Sequence, residues 1–187
     1  MAVATRDALI QAGEGMMRSR GYAAFSYADL AATVGIRKAS IHHHFPTKED
    51  LGIAIVEAYV SRVVDALERI DRQTEDLWGR LNGFFDTFRA SSDGSLLPLC
   101  GALAAEMAAL PPELQKLTHR FFELELRWLT RVIDNGISEA EIPVGVGSSQ
   151  KAHQLLSVLE GASLVEWAMK NGETLDRGII RLIVSAT

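Results

Sequence analysis

Apolar residues recur along this chain at intervals of three and four, and nowhere with the two-residue alternation of a half-buried strand. Leu9, Ala12, Met16 and Met17 lay an apolar stripe along a first helix over about Thr5 to Arg20. Gly21 stops it, because glycine takes the left-handed conformation that ends helices. Ser26 and Asp29 have the spacing of a capping box, so a second helix starts there, with Leu30, Ala31 and Val34 inward and Gly35 closing it. A short third helix runs from Arg37 or Lys38 to Phe45, with Ala39, Ile41 and Phe45 as its inward contacts. Arg37 is a poor cap for it, and Pro46 forbids its continuation. Thr47 and Asp50 form a second capping box that opens one long amphipathic helix, from Lys48 to about Ile70. Its inward pattern is Leu51, Ala54, Ile55, Ala58, Tyr59, Val63, Ala66, Leu67 and Ile70, and an unbroken helix of that length couples the N-terminal helices to the rest of the chain.

Further helical blocks are predicted over about 75–92, 97–109, 112–135, 148–171 and 175–186. Asp93-Gly94-Ser95, Pro111-Pro112, Asn135-Gly136 and Asn171-Gly172 punctuate them. Ile142 to Ser149 is the one loop of notable length. The chain reads as all-α.

Composition narrows the class. With 187 residues, 48% of them hydrophobic, the chain buries a sizeable core as one large or two small domains. No run approaches the roughly 18 uninterrupted apolar residues of a membrane span, and the opening Met-Ala-Val-Ala-Thr-Arg-Asp lacks the apolar centre of a signal peptide, so the expected location is the cytoplasm, with no membrane partner. A single cysteine, Cys100, excludes an intrachain disulfide and a multi-cysteine zinc site. The net charge of −5 changes meaning once it is divided by position. Residues 1 to 48 hold 6 basic side chains against 3 acidic ones, a net of +3, whereas the remainder holds 13 against 21, a net of −8. No acid interrupts Arg37 to Lys48, and phosphate attraction is local, so an acidic remainder does not forbid DNA binding. Two short helices and a tight turn between Phe25 and Lys48 are the layout of a helix-turn-helix.

The same residues resemble the N-terminal signature of the TetR/AcrR family of transcriptional regulators. The resemblance is carried by Gly21-Tyr22, Phe25-Ser26, Asp29-Leu30-Ala31, Val34-Gly35-Ile36, Lys38-Ala39-Ser40-Ile41 and His43-His44-Phe45-Pro46-Thr47-Lys48-Glu49-Asp50-Leu51. It implies a helix-turn-helix DNA-binding domain over 1–47 and a helical ligand-binding and dimerisation domain over 48–187, about nine helices in all. It also implies a homodimer whose two recognition helices enter successive major grooves of a palindromic operator, and a repressor released by a small molecule. Carried over by position, Ser26 and Tyr27 lie near the phosphate backbone, Arg37, Lys38, Ala39 and Ser40 lead the recognition helix, and His42, His43 and Lys48 hold phosphates. The chain departs from the family at His42, where tyrosine is common, and at Arg37, where serine is usual. An imidazole can replace the hydroxyl, and a guanidinium can read guanine or grip phosphate.

In the remainder, Trp78, Phe84, Phe85, Phe88, Phe121, Phe122 and Trp128 cluster on neighbouring helices. Such a cluster fills a core, and it also supplies the apolar wall of a ligand cavity. The candidate ligand-binding residues are Trp78, Phe85, Phe88, Cys100, Leu103, Met107, Phe121, Phe122, Glu125 and Trp128, with His119, Arg127 and His153 as further polar candidates, for an apolar, aromatic or electrophilic effector. Cys100 reads first as a small buried hydrophobe. Its place near a helix start beside Gly101, and a likeness of this segment to electrophile-sensing and oxidant-sensing branches of the family, give it a second reading as a sensor. His42, His43 and His44 point about 100° apart on a helix and do not converge on one metal ion. No metal and no cofactor is expected. The last two helices, with Leu155, Leu156, Leu159, Ala162, Trp167, Ile179, Leu182 and Ile183 and the small Gly161 and Ser163, are the expected dimer interface. Two rival readings are a small helical enzyme with Cys100 as nucleophile and His119 or His153 as base, and a helical interaction protein without DNA binding. No motif of nucleophile, metal site or phosphate loop supports an enzyme.

Overall fold

A computed structural model describes residues 2–91, 96–170 and 174–186. Among them the chain is helical throughout, in the order α1 (Ala2–Arg20), α2 (Tyr27–Val34), α3 (Lys38–His44), α4 (Lys48–Gln73), α5 (Leu77–Ser91), α6 (Leu99–Ala105), a 3-10 turn (Met107–Ala109), α7 (Pro112–Ser138), α8 (Ser148–Met169) and α9 (Gly178–Val184). None of these helices is long and apolar enough to cross a membrane. They form two compact units.

The first unit comprises the residues up to Ser61 together with Leu99–Phe121. Leu9, Met17, Leu30, Ile41, Leu51 and Ile55 are its fully buried centre. Both predicted capping boxes form. The Ser26 backbone N–H donates to the Asp29 carboxylate at 2.8 Å and the Asp29 N–H donates back to the Ser26 hydroxyl, and Thr47 and Asp50 repeat the arrangement at the start of α4. Gly35 ends α2 in the left-handed region, at φ 75°, with its N–H on the Ala31 carbonyl. Arg37 precedes α3 without a side-chain cap, as its chemistry dictates. Ile41 and Phe45 are buried, but Ala39 is exposed rather than inward, since α3 turns only one narrow face to the core. The predicted helix over 97–109 is two pieces, α6 and the 3-10 turn, with Glu106 between them. Its carboxylate accepts the Ala23 N–H at 3.0 Å, tying this segment to the turn between α1 and α2.

The second unit comprises Arg62–Pro98 and the described residues from Phe122 onward. Leu77, Leu81, Phe84, Phe85, Phe88, Trp128, Leu129, Val132, Ile133, Leu155, Leu156 and Leu159 pack its core. Phe84 stacks on Trp128 at 5.6 Å between centroids, and the indole N–H of Trp128 donates to Asp71 at 3.1 Å. α5 starts at Leu77 because the Asp76 carboxylate accepts the Gly79 N–H at 2.8 Å, a cap the hydrophobic pattern does not show. One predicted break is absent: α7 runs through Asn135-Gly136 to Ser138. Gly136 serves contact instead of a turn, since a Cβ there would lie 2.6 Å from Leu77 Cδ2. The breaks at Asp93-Gly94-Ser95 and Asn171-Gly172 fall outside the described residues. Lys151 is fully buried, and its ammonium donates to the carbonyls of Val184 at 2.5 Å and Ala186 at 2.6 Å, so a charge in the core holds the end of α9.

Candidate nucleic-acid interface

The α2–turn–α3 pair sets a short basic helix on the surface of the first unit. Ile41 and Phe45 anchor it from below, and Arg37, Lys38, Ala39, Ser40, His42 and His43 are all exposed. Beside it lies an open groove of about 570 Å³ lined by Thr5, Ile36, Arg37, Ala39, Ser40, His43 and His44. The lining offers a guanidinium, two imidazoles and no carboxylate, a composition that favours a polyanion. Of the four residues predicted to read bases, Arg37, Ala39 and Ser40 line this groove, and Lys38 is exposed outside its lining.

The structure gives three of the expected phosphate contacts other work. Tyr27 is buried, and its hydroxyl lies 2.9 Å from the Phe45 carbonyl and also meets the Thr47 carbonyl, so it fastens the end of α3 to the start of α2. Burial, with the nearby charge of Asp50, pushes its pKa up to about 12 and keeps it a neutral phenol. Lys48 donates to the Phe25 carbonyl at 2.6 Å and lies over the rings of Tyr22 and Phe25. Burial lowers its pKa, and its ammonium is spent on the loop before α2. The Ser26 hydroxyl donates to Asp29 at 2.6 Å. That bond, foremost, holds the Asp29 carboxyl below its ordinary value. His42 and His43 remain outward. His42 Nδ1 lies 3.1 Å from the Pro46 carbonyl, so the neutral ring keeps its proton there and offers Nε2 as an acceptor. Only the imidazolium donates to phosphate from that atom.

A family model described as "Bacterial regulatory proteins, tetR family" matches residues 9–55, the stretch that builds this face. A TetR-family transcriptional regulator from Agrobacterium tumefaciens superposes with a TM-score of 0.86 at 26% identity, over 98% of this chain and 95% of that one. The chain carries a TetR-family DNA-binding domain over residues 9–55. It is a DNA-binding transcriptional regulator. Similar curated TetR-type proteins include the HTH-type transcriptional regulator CymR of Pseudomonas putida, 28% identical over 73% of this chain and 70% of its own length. The HTH-type transcriptional repressor DhaR of Mycobacterium sp. (strain GP1) is 25% identical over 92% of this chain and 87% of its own length. These names set aside the enzyme built on Cys100, and TetR-family regulators bind DNA as dimers and respond to small effectors.

The candidate effector residues of this chain divide between the units. Cys100, Leu103, Met107 and Phe121 lie in the first, where Cys100 is wholly buried, Leu103 and Phe121 are core, and Met107 is half-buried on the 3-10 turn. Trp78, Phe85, Phe88, Phe122, Glu125 and Trp128 lie in the second, the five aromatic ones packed in or against its core and Glu125 buried. Three polar candidates drop out as pocket residues: His119, Arg127 and His153 are exposed, because each falls on the outer face of its helix. Glu125 is 4% exposed, and Glu160, which the sequence pattern did not single out, has a buried carboxylate oxygen as well. Burial first, and then the charge of Glu160, pushes the Glu125 carboxyl far above the usual range; burial alone raises Glu160 to about 7. The sequence held a signal for Glu160, which lies four residues beyond Leu156 and so shares its side of α8.

Proposed function

We propose that this chain is a homodimeric repressor that binds a palindromic operator through α3 and leaves it when a small molecule enters the helical unit that carries the aromatic core. The observation that carries the DNA part is the acid-free outer face of α3, on which Arg37, Lys38, Ala39 and Ser40 reach the bases and His42 and His43 reach the backbone. Tyr27 and Lys48 act from beneath, positioning that face. The protein works in the cytoplasm, beside its DNA. Its DNA-binding domain covers 1–47, and 48–187 carry the effector and dimer functions.

The dimer part rests on an exposed apolar stripe. Leu164 is 42% exposed, Val165 62%, Met169 62% and Leu182 73%, while Gly161 has open space where a Cβ would be. Two such stripes, one from each protomer, bury one another as a bundle of α8 and α9 helices. The effector is apolar or aromatic, matching Phe85, Phe88, Phe122 and Trp128. An electrophile acting on Cys100 has to open the packing around a buried thiol. Release results if the effector prefers one spacing of the two DNA-binding heads, and by no more than its differential affinity.

A mobility shift on DNA from upstream of the chain's own gene, titrated with salt, tests the reading. Wild type gives a salt-dependent complex, and Arg37→Ala lowers the log–log salt slope by about one unit. Lys48→Ala weakens binding while leaving the slope unchanged, because its ammonium holds the loop and not a phosphate. Absence of any salt-dependent complex refutes the DNA reading, and a slope reduced by Lys48→Ala returns that lysine to the phosphate contacts.

A further inference from the structure

Two glutamates of the second unit each bury a carboxylate oxygen that has nothing to hold. Glu125 on α7 is 4% exposed, and its Oε2 has no hydrogen-bond partner; Oε1 of Glu160 on α8 is buried and equally unpartnered. Among the described residues neither accepts a hydrogen bond or an ion pair, and the two do not bond to each other. An ionised carboxylate buried without partners is costly, and a hydrophobic residue in its place is often stabilising. The fold gains no visible bond from this pair, and burial keeps a proton on both groups, which leaves them free to exchange it for a bound donor.

The neighbours say what kind of group fits. Phe122 and Trp128 lie three residues to either side of Glu125, on the same side of α7, and both pack in or against the aromatic core. A cation held there meets two acceptors and aromatic faces together. Two carboxylates are too few for a divalent metal ion, which takes six or more oxygens or keeps its waters. No group of three or more metal-ligating side chains occurs among the described residues. An anion is repelled by both acids.

We propose that Glu125 and Glu160 form an anionic subsite that takes the head of an organic cation, an amine or amidine whose aromatic or alkyl body lies against the Phe122 and Trp128 side of α7. This rests on the reading of the chain as an effector-controlled regulator and names the chemical class of the effector. Each carboxylate accepts N–H bonds from the cation, replacing the proton that burial otherwise keeps on it.

The test uses three probes of one shape, 4-phenylbutylamine, 4-phenylbutan-1-ol and 4-phenylbutyrate, with binding followed by tryptophan fluorescence of the full chain. The amine binds at least about tenfold more tightly than the alcohol, in keeping with a charge-assisted bond, and the carboxylate most weakly. Glu125→Gln and Glu160→Gln each abolish the preference for the amine and leave the alcohol unaffected. Equal binding of amine and alcohol by wild type overturns the proposal, even if a variant fails to fold, and so does a preference that survives both substitutions. Mobility shifts separate the two readings. Amine binding that leaves the operator complex intact supports the subsite and sinks control by effector release. Release by the alcohol as readily as by the amine overturns the subsite and leaves the regulator reading standing.

Discussion

At Glu160 burial moves the carboxyl from its ordinary 4.5 to about 7, so folding takes up a proton there between those two values. Because the native state binds more protons than the unfolded one, stability falls as pH rises through this window. The loss begins above pH 4.5 and is complete above about 7, and a shift of that size corresponds to about 3 kcal/mol. Glu125, shifted in the same direction, adds to it. Urea unfolding of wild type at fixed protein concentration should show stability declining from pH 5 to 7.5, with the decline shallower in Glu160→Gln. An identical pH dependence in the two proteins removes Glu160 as a source. Single residues were also where the sequence was hardest to read. A tyrosine beside a cap and a lysine opening a helix look like phosphate contacts in one dimension. Only packing reveals that Tyr27 faces the Phe45 carbonyl and Lys48 the Phe25 carbonyl.

Helices were more legible, for a local reason. Capping boxes, glycine stops and Pro46 act within a few residues, so Ser26, Gly35, Thr47 and Pro46 place α2, α3 and the start of α4 correctly without knowledge of the fold. The errors came where a local signal served a distant contact. Asn135-Gly136 has turn chemistry, yet Gly136 lies inside α7 because Leu77 leaves no room for a side chain. Gly136→Ala sets two effects against each other: helix propensity improves by about 1 kcal/mol, while overpacking against a buried leucine costs about 1–3 kcal/mol. Overpacking should win, because the Cβ meets Leu77 Cδ2 at 2.6 Å and Leu77 is 1% exposed. A net loss of about 1 kcal/mol in denaturant unfolding is expected, and a gain in stability would show that Leu77 yields. The start of α5 falls within two residues of the predicted one, and beside its local Asp76 cap the Leu77 N–H donates to Glu141, 64 residues away.

On the scale of the whole molecule, the charge division and the exposed stripe point to different surfaces for different partners. Basic side chains without intervening acids lie on α3, and uncovered apolar ones on α8 and α9. The sequence located the second surface only roughly. It counts Leu155, Leu156 and Leu159 toward the interface, whereas these are buried within the chain, and it passes over Leu164, Val165 and Met169, which face outward as Leu182, a residue it does name, also does. Helical periodicity alone does not tell which of two apolar flanks meets the chain's own core. Val165→Glu, placed in the middle of the stripe, should shift the chain from dimer to monomer mass at micromolar concentration, with helix content retained. An unchanged dimer would move the interface elsewhere.

Lys151 gives the last residues of α9 a value that their small size conceals. Its ammonium, sealed in the core, depends on two main-chain oxygens near the end of the chain. Trimming the chain back past Val184 would strand a cation in hydrocarbon. Anyone cloning this regulator with a shortened tail would be editing its interior. A reporter or affinity tag is better joined beyond Ala186, with the carbonyls of Val184 and Ala186 left in place as ligands of that buried charge.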